Sequence, residues 1–198
     1  MIPDRPQLFH LDAALVLPLV PSEMRSAVGA LATLDRALAS ARLGCREPTL
    51  RAIRLRWWAD QIEQIEHGDT PPDPALRGFA EEIAPHLSAE LRGRMVEWAL
   101  SHDDPVARGE GVFAIASMLL GAPSSAGAGA LWGEVADAIE RREPPPRSAA
   151  LAPAERSRAL PRPLRVMAVQ AADLAARRGR VAPLRDQWLS LRVGLFGR

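Results

Sequence analysis

Apolar side chains recur along most of this chain at three- and four-residue intervals, the spacing of one face of an α-helix. The fullest example runs from Glu47 to Gly68, with Leu50, Ile53, Trp57, Trp58, Ile62 and Ile65 on the pattern. Pro48 stands where a missing N–H costs nothing, and Gly68 stands where the chain leaves a helix through positive φ. Two adjacent tryptophans are a large apolar commitment, so the pattern puts this helix at the centre of a helical core. Ahead of it, Pro3, Pro6, Pro18 and Pro21 break residues 1–21 and leave room for at most a short helix around Leu8 to Leu17. Ser22 then reads as the N-cap of a helix to about Leu43, whose apolar face is Met24, Val28, Leu31, Leu34, Leu38 and Ala41.

After the loop Gly68-Asp69-Thr70-Pro71-Pro72, Asp73-Pro74 reads as an N-cap and first helical residue, opening a short helix to about Pro85. Ser88 caps the next helix, with Leu91, Met95, Trp98 and Ala99 along one side, and the pattern ends near Ser101-His102-Asp103-Asp104-Pro105. Val106 to Leu120 is a mostly apolar helix, expected to be buried on most sides. Gly121 to Ser125 breaks it, and Gly127-Ala128-Gly129 opens the helix of Leu131, Trp132, Val135, Ala138 and Ile139. The run Glu143-Pro144-Pro145-Pro146-Arg147 is the clearest break. Beyond it, Leu164, Met167, Ala171, Leu174 and Ala175 mark an amphipathic helix, and Leu184, Trp188, Leu191 and Leu195 mark another. With no strand pattern and no internal repeat, the expected fold is all-α: a single-domain helical bundle. Its parts are a helical body over 1–143, a Pro/Ala/Arg-rich linker over 144–163, and C-terminal helices over 164–198 that pack on the same domain.

Charge sharpens that division. The chain of 198 residues has a net charge of +1, and its basic side chains are all arginine. Residues 1–140 hold 12 Arg against 20 acids, while residues 141–198 hold 13 Arg against 4. The acidic body and basic C-terminus can attract each other, or the basic part can meet anionic lipid at a membrane surface. Nucleic acid is not expected as a partner, because no lysine or aromatic stacking pattern accompanies the arginines. The absence of lysine, asparagine and tyrosine reads as the codon usage of a GC-rich genome. The single cysteine, Cys45, excludes an internal disulfide and fits a reducing compartment. No stretch reaches the 18 apolar residues of a membrane span, and Leu11 to Val20, with Asp12 and Pro18, reads as mature protein. The expected location is the cytoplasm, with a peripheral position at the inner membrane face as its extension.

Candidate chemistry is sparse. Asp35 falls on or beside the apolar face of its helix and needs a partner; Arg51 or Arg54 is nearest in sequence, and the role is a fixed ion pair or a ligand contact. The cluster His102-Asp103-Asp104 lacks a second group at metal-ligand spacing and reads as a solvated helix end. Gly127 and Gly129 follow no strand, so close helix packing explains them better than a phosphate cradle. Trp57, Trp58, Phe113 and Trp132 are large enough to line an apolar tunnel or to fill one.

Several of these pieces, in order, resemble the squalene/phytoene synthase family, which has the isoprenoid-synthase fold. Pro21-Ser22-Glu23-Met24-Arg25 into Ala30-Leu31 is similar to the family's opening helix. Ile53-Arg54-Leu55-Arg56-Trp57-Trp58-Ala59-Asp60 is similar to the Arg-Leu-x-Trp-Trp-x-Asp run of its bacterial branch. Gly109-Glu110-Gly111, Ala130-Leu131-Trp132-Gly133 and Leu160-Pro161-Arg162-Pro163-Leu164 resemble later parts. The resemblance implies an enzyme fold that holds Mg²⁺ and a prenyl diphosphate between two aspartate-rich segments on facing helices. Against it, Ala39 and Leu43 stand where the first Asp-x-x-x-Asp belongs, and Gly133 to Arg142 offers only Glu134, Asp137 and Glu140. The expectation is a degenerate, truncated member with no catalytic residues, no metal site and no cofactor, Mg²⁺ entering only on the enzyme reading. Its partner is a prenyl or lipid chain, held by Asp35, Arg54, Trp57, Trp58, Phe113 and Trp132, or a protein, as in the mitochondrial branch that serves complex I assembly. The alternative is a residual prenyl (farnesyl or geranylgeranyl) diphosphate transferase using Glu134, Asp137 and Glu140.

Overall fold

The structure, a computed structural model, describes residues 16–65, 71–123, 127–146 and 160–177. Among these residues it is all-α, with seven α-helices and no strand: α1 Arg25–Leu43, α2 Pro48–Gln64, α3 Pro74–Ile83, α4 Ala89–Ser101, α5 Pro105–Leu119, α6 Ala130–Arg141 and α7 Arg162–Ala176. Short 3₁₀ turns at Leu17–Leu19, Ser22–Met24 and Ala84–His86 join or precede them. No helix among the described residues is long and apolar enough to cross a membrane. The second C-terminal helix, expected around Leu184 to Leu195, lies outside the described residues, as do Gly68 and most of the linker.

The helix starts follow from capping chemistry. Asp73 accepts from the N–H groups of Ala75 and Leu76 ahead of α3, and Ser88 accepts from Leu91 ahead of α4. Asp104 does the same for α5 through Val106 and Ala107, with Pro105 at the first helical position. Ser22 differs from expectation. Its hydroxyl turns to Glu23 and the first residues form a 3₁₀ turn, so α1 starts at Arg25.

Leu31, Leu34 and Leu38 of α1, Phe79 of α3, Trp98 of α4, Phe113 of α5, Trp132 of α6 and Met167 of α7 share one core. The closest approach is between α5 and α6. A Cβ on Gly109 would collide with the Gly129 carbonyl, and one on Gly133 with the Pro105 carbonyl, so only glycine lets the two backbones meet. Gly129 also opens α6 with φ 95°, a conformation that favours glycine. Close packing is therefore the work of this glycine cluster.

The expected centrality of the double-tryptophan helix does not hold. α2 buries Leu55, Trp58, Ala59 and Ile62 against its neighbours and exposes Leu50, Ile53 and Trp57. Neighbours in sequence stand about 100° apart on a helix, so Trp57 and Trp58 belong to different faces. Only the Trp58 face is covered, and α2 is a flank of the bundle, packed chiefly on α4.

Candidate functional site

The polar residues that the core encloses come together at one place, between α1, the end of α4, α5 and α6. Asp35 and Arg42 lie seven residues apart on α1, two turns along one stripe. Asp137 and Glu140 follow Gly133 at four and seven residues on α6, on the stripe that faces α5. Because the glycines bring α5 and α6 together, Arg108, beside Gly109, reaches both α1 and α6.

Arg108 is fully buried and grips two carboxylates. Its Nε donates to Asp35 Oδ1 at 2.9 Å and its Nη2 to Asp35 Oδ2 at 2.5 Å. Its Nη1 and Nη2 donate to Glu140 Oε2 and Oε1, each at 2.7 Å. Such paired contacts match the planar fork of guanidinium to carboxylates. Arg42, also fully buried, pairs with Asp137 Oδ1 at 2.5 Å and reaches Glu140 Oε2 at 3.4 Å. Arg141 closes the far side with Nε on Asp137 Oδ2 at 2.8 Å. Three carboxylates thus face three guanidinium groups.

Two of the sequence expectations are corrected here. Asp35 takes its partners from α5 and the α4 end, not from Arg51 or Arg54: Arg51 pairs with Asp103 at 3.1 Å, and Arg54 donates to the Ala41 carbonyl at 3.4 Å. His102 is not part of a solvated helix end. It is wholly buried, with Nε2 at 3.1 Å from Asp35 Oδ1 and its ring edge-on to Trp98. Of that triplet only Asp103 and Asp104 are exposed.

Burial would raise the Asp35 pKa, but the Arg108 guanidinium and the His102 hydrogen bond hold the carboxyl well below the ordinary range. Burial also opposes charge on Arg108, and Asp35 and Glu140 overcome it, so its pKa is raised. For His102, burial outweighs the attraction of Asp35 and lowers the pKa. The ring is then neutral at pH 7, and because the Asp35 carboxylate accepts, its hydrogen bond assigns the proton to Nε2. Burial likewise raises Asp137, against which Arg42 and Arg141 hold it low.

This arrangement does not fit Mg²⁺. The ion needs several hard oxygen ligands at close, near-octahedral geometry, usually carboxylates together with water. Both oxygens of Asp35, Asp137 and Glu140 already face guanidinium nitrogens or His102. Two buried cations occupy the ground where a metal would be needed. Among the described residues no group of three or more His, Cys, Asp or Glu side chains is arranged to hold a metal ion.

The six residues expected to hold a ligand do not converge. Asp35 belongs to the charge network, and Trp132 borders it, with Arg108 5.7 Å from its ring centroid. Phe113 packs against Trp132 at 6.1 Å, both fully buried. Trp58 is buried under α2, while Trp57, edge-on to it at 5.4 Å, and Arg54 lie on the outer surface. Sequence reasoning missed His102 as a buried group, and it missed Arg42 and Arg108. The available signal was their spacing: Arg42 recurs with Asp35 on one helical stripe, and Arg108 sits in a mostly apolar helix.

Among known proteins, the family model described as squalene/phytoene synthase matches residues 11–97, which span α1 to most of α4. No curated protein and no solved structure matches the chain. The all-α architecture is consistent with the isoprenoid-synthase fold of that family.

Proposed function

We propose, from the squalene/phytoene synthase family match over residues 11–97, that the chain is a non-catalytic member of that family working as a protein-binding, assembly-type component in the cytoplasm. The observation that carries this reading is the pairing of Asp35, Asp137 and Glu140 with buried Arg42 and Arg108. Metal-assisted departure of a diphosphate needs carboxylates free to hold metal, and arginine cannot polarise the leaving group as Mg²⁺ does. Phe113 and Trp132 favour a protein partner over an enclosed prenyl chain, because they pack on each other within the core, in keeping with the filling rather than the lining role that the sequence left open.

Calorimetry and product analysis with farnesyl and geranylgeranyl diphosphate, with and without Mg²⁺, test the reading. The expected result is no Mg²⁺-dependent binding and no turnover. Turnover of either diphosphate overturns it and restores the transferase alternative. Metal-independent binding of a neutral prenyl chain replaces the protein partner with a lipid.

A further inference from the structure

Three consecutive residues hold the corner between α4 and α5, each by a different contact. Asp104 caps α5 through the N–H groups of Val106 and Ala107, and Asp103 pairs with Arg51 of α2 at 3.1 Å. His102 points the other way, into the core. Its ring lies edge-on to Trp98 of α4, with Nε2 at 3.1 Å from Asp35 of α1. Asp103 and Asp104 are exposed, so the buried imidazole belongs to a turn whose other side chains are already in water.

Unlike the guanidinium groups around it, an imidazole exchanges between neutral and charged forms in the mildly acid range. Protonation adds a second N–H, on Nδ1, and among the described residues that atom has no hydrogen-bond partner. The surrounding charges offer little relief. Asp35 and Arg42 face the ring from α1 and Arg108 from α5, one carboxylate against two cations. Asp137 and Glu140 of α6 are taken up by Arg42 and Arg108, and Asp103 by Arg51. A charged ring left in place is thus a buried cation with an unmet donor, whereas a ring swung outward is hydrated.

The neighbours of the ring do not need it. Arg108 grips both oxygens of Asp35, at 2.9 and 2.5 Å, so the carboxylate stays matched when the imidazole departs. Trp98 is held from its other side, where Gly111 lets α5 lie directly on the indole. Once released, the ring recovers its ordinary pKa of about 6.5, so proton binding favours release as pH falls below that value.

We infer that the α4–α5 corner is an acid-released latch: on protonation His102 leaves its seat between Asp35 and Trp98 and turns to solvent, opening the corner while the helices and the Arg108 clasp on Asp35 remain. Opening at one corner is a different event from loss of the whole fold, and it does not depend on what the chain binds.

Two measurements on the full chain, taken from about pH 7.5 down to about 4.5, separate these events. Ring resonances in NMR spectra report protonation of His102, and hydrogen exchange, corrected for its intrinsic pH dependence, reports opening segment by segment. Exchange over residues 99–108 is expected to rise about tenfold or more as the ring titrates, with α1, α7 and the later turns of α5 unchanged. His102→Gln keeps an N–H for Asp35 and abolishes the rise. Where that variant does not fold, Asp103→Asn serves: it loosens the corner from Arg51 and moves the opening to higher pH. A ring that titrates with no local rise in exchange is protonated in place and overturns the inference. A ring still neutral at the lowest pH overturns it too, as does a rise that persists in His102→Gln or a loss of protection in every helix at once.

Discussion

Arg42 and Arg108 at the centre of the bundle and Arg54 and Arg56 on its flank put the same guanidinium group into opposite surroundings. At the centre, Arg42 and Arg108 are buried and each cation must be matched, so three carboxylates converge on them from two helices. On the flank, Arg56 pairs with Asp60 four residues away while both remain in solvent, and Arg54 meets only a backbone carbonyl. The central arginines are committed to the fold, and the flanking ones keep solvent and local partners. An arginine-rich composition therefore says little until burial is known.

The sharpest way to break this contrast is Arg108→Met. The change takes the guanidinium from buried Asp35, which keeps the His102 hydrogen bond, and leaves Glu140 with Arg42 at 3.4 Å, and it should cost about 3–5 kcal/mol in urea unfolding. Combining it with Asp35→Asn and Glu140→Gln should recover a large part of that loss, since no uncompensated charge remains. A loss below about 1 kcal/mol would mean that the network is solvated and that the centre resembles the flank.

His102 gives a smaller and more specific effect within the same network. Burial holds its pKa below the ordinary value of about 6.5. Below that pH the unfolded chain binds more protons than the folded one, so stability is complete above about pH 6.5 and falls as pH drops toward the folded pKa. Asp35 adds a separate loss at lower pH, beginning near the ordinary carboxylate pKa of about 3.9 and running down through its depressed folded value. Arg108 and Arg42 also face the ring electrostatically and stay charged throughout. His102→Gln keeps an N–H for Asp35 and removes the titration. Denaturation midpoints should then change less between about pH 6.5 and 4.5 than in the parent chain. An unchanged profile would mean that His102 titrates as a solvated group.

Much of the fold is legible in the sequence, because its signals are local. Asp73, Ser88 and the prolines at helix starts act on their own neighbours, and the apolar periods of α1, α4 and α6 fit one face each. Glycine close packing was legible too, since no strand led into Gly127 to Gly129. The site was not. Asp35 and Arg108 are 73 residues apart, and nothing in the periodicity of either helix names the other. His102 looked solvated because its neighbours Asp103 and Asp104 are polar, yet one turn of helix end is enough to send the ring inward. On α2 the sequence offers two apolar faces, and only tertiary packing decides which is covered.

That last ambiguity carries the smallest predicted effect. Trp58→Ala, on the covered face, removes a buried aromatic and should cost about 3–5 kcal/mol. Ile53→Ser, five residues earlier and 59% exposed, should change stability by no more than about 0.5 kcal/mol. If Ile53→Ser instead destabilises the chain by more than about 1 kcal/mol, some other part of the chain covers this face. The stripe would then belong to the core. A near-zero change alongside a large one at Trp58 leaves an apolar face that folding does not use, which is the condition an interface requires.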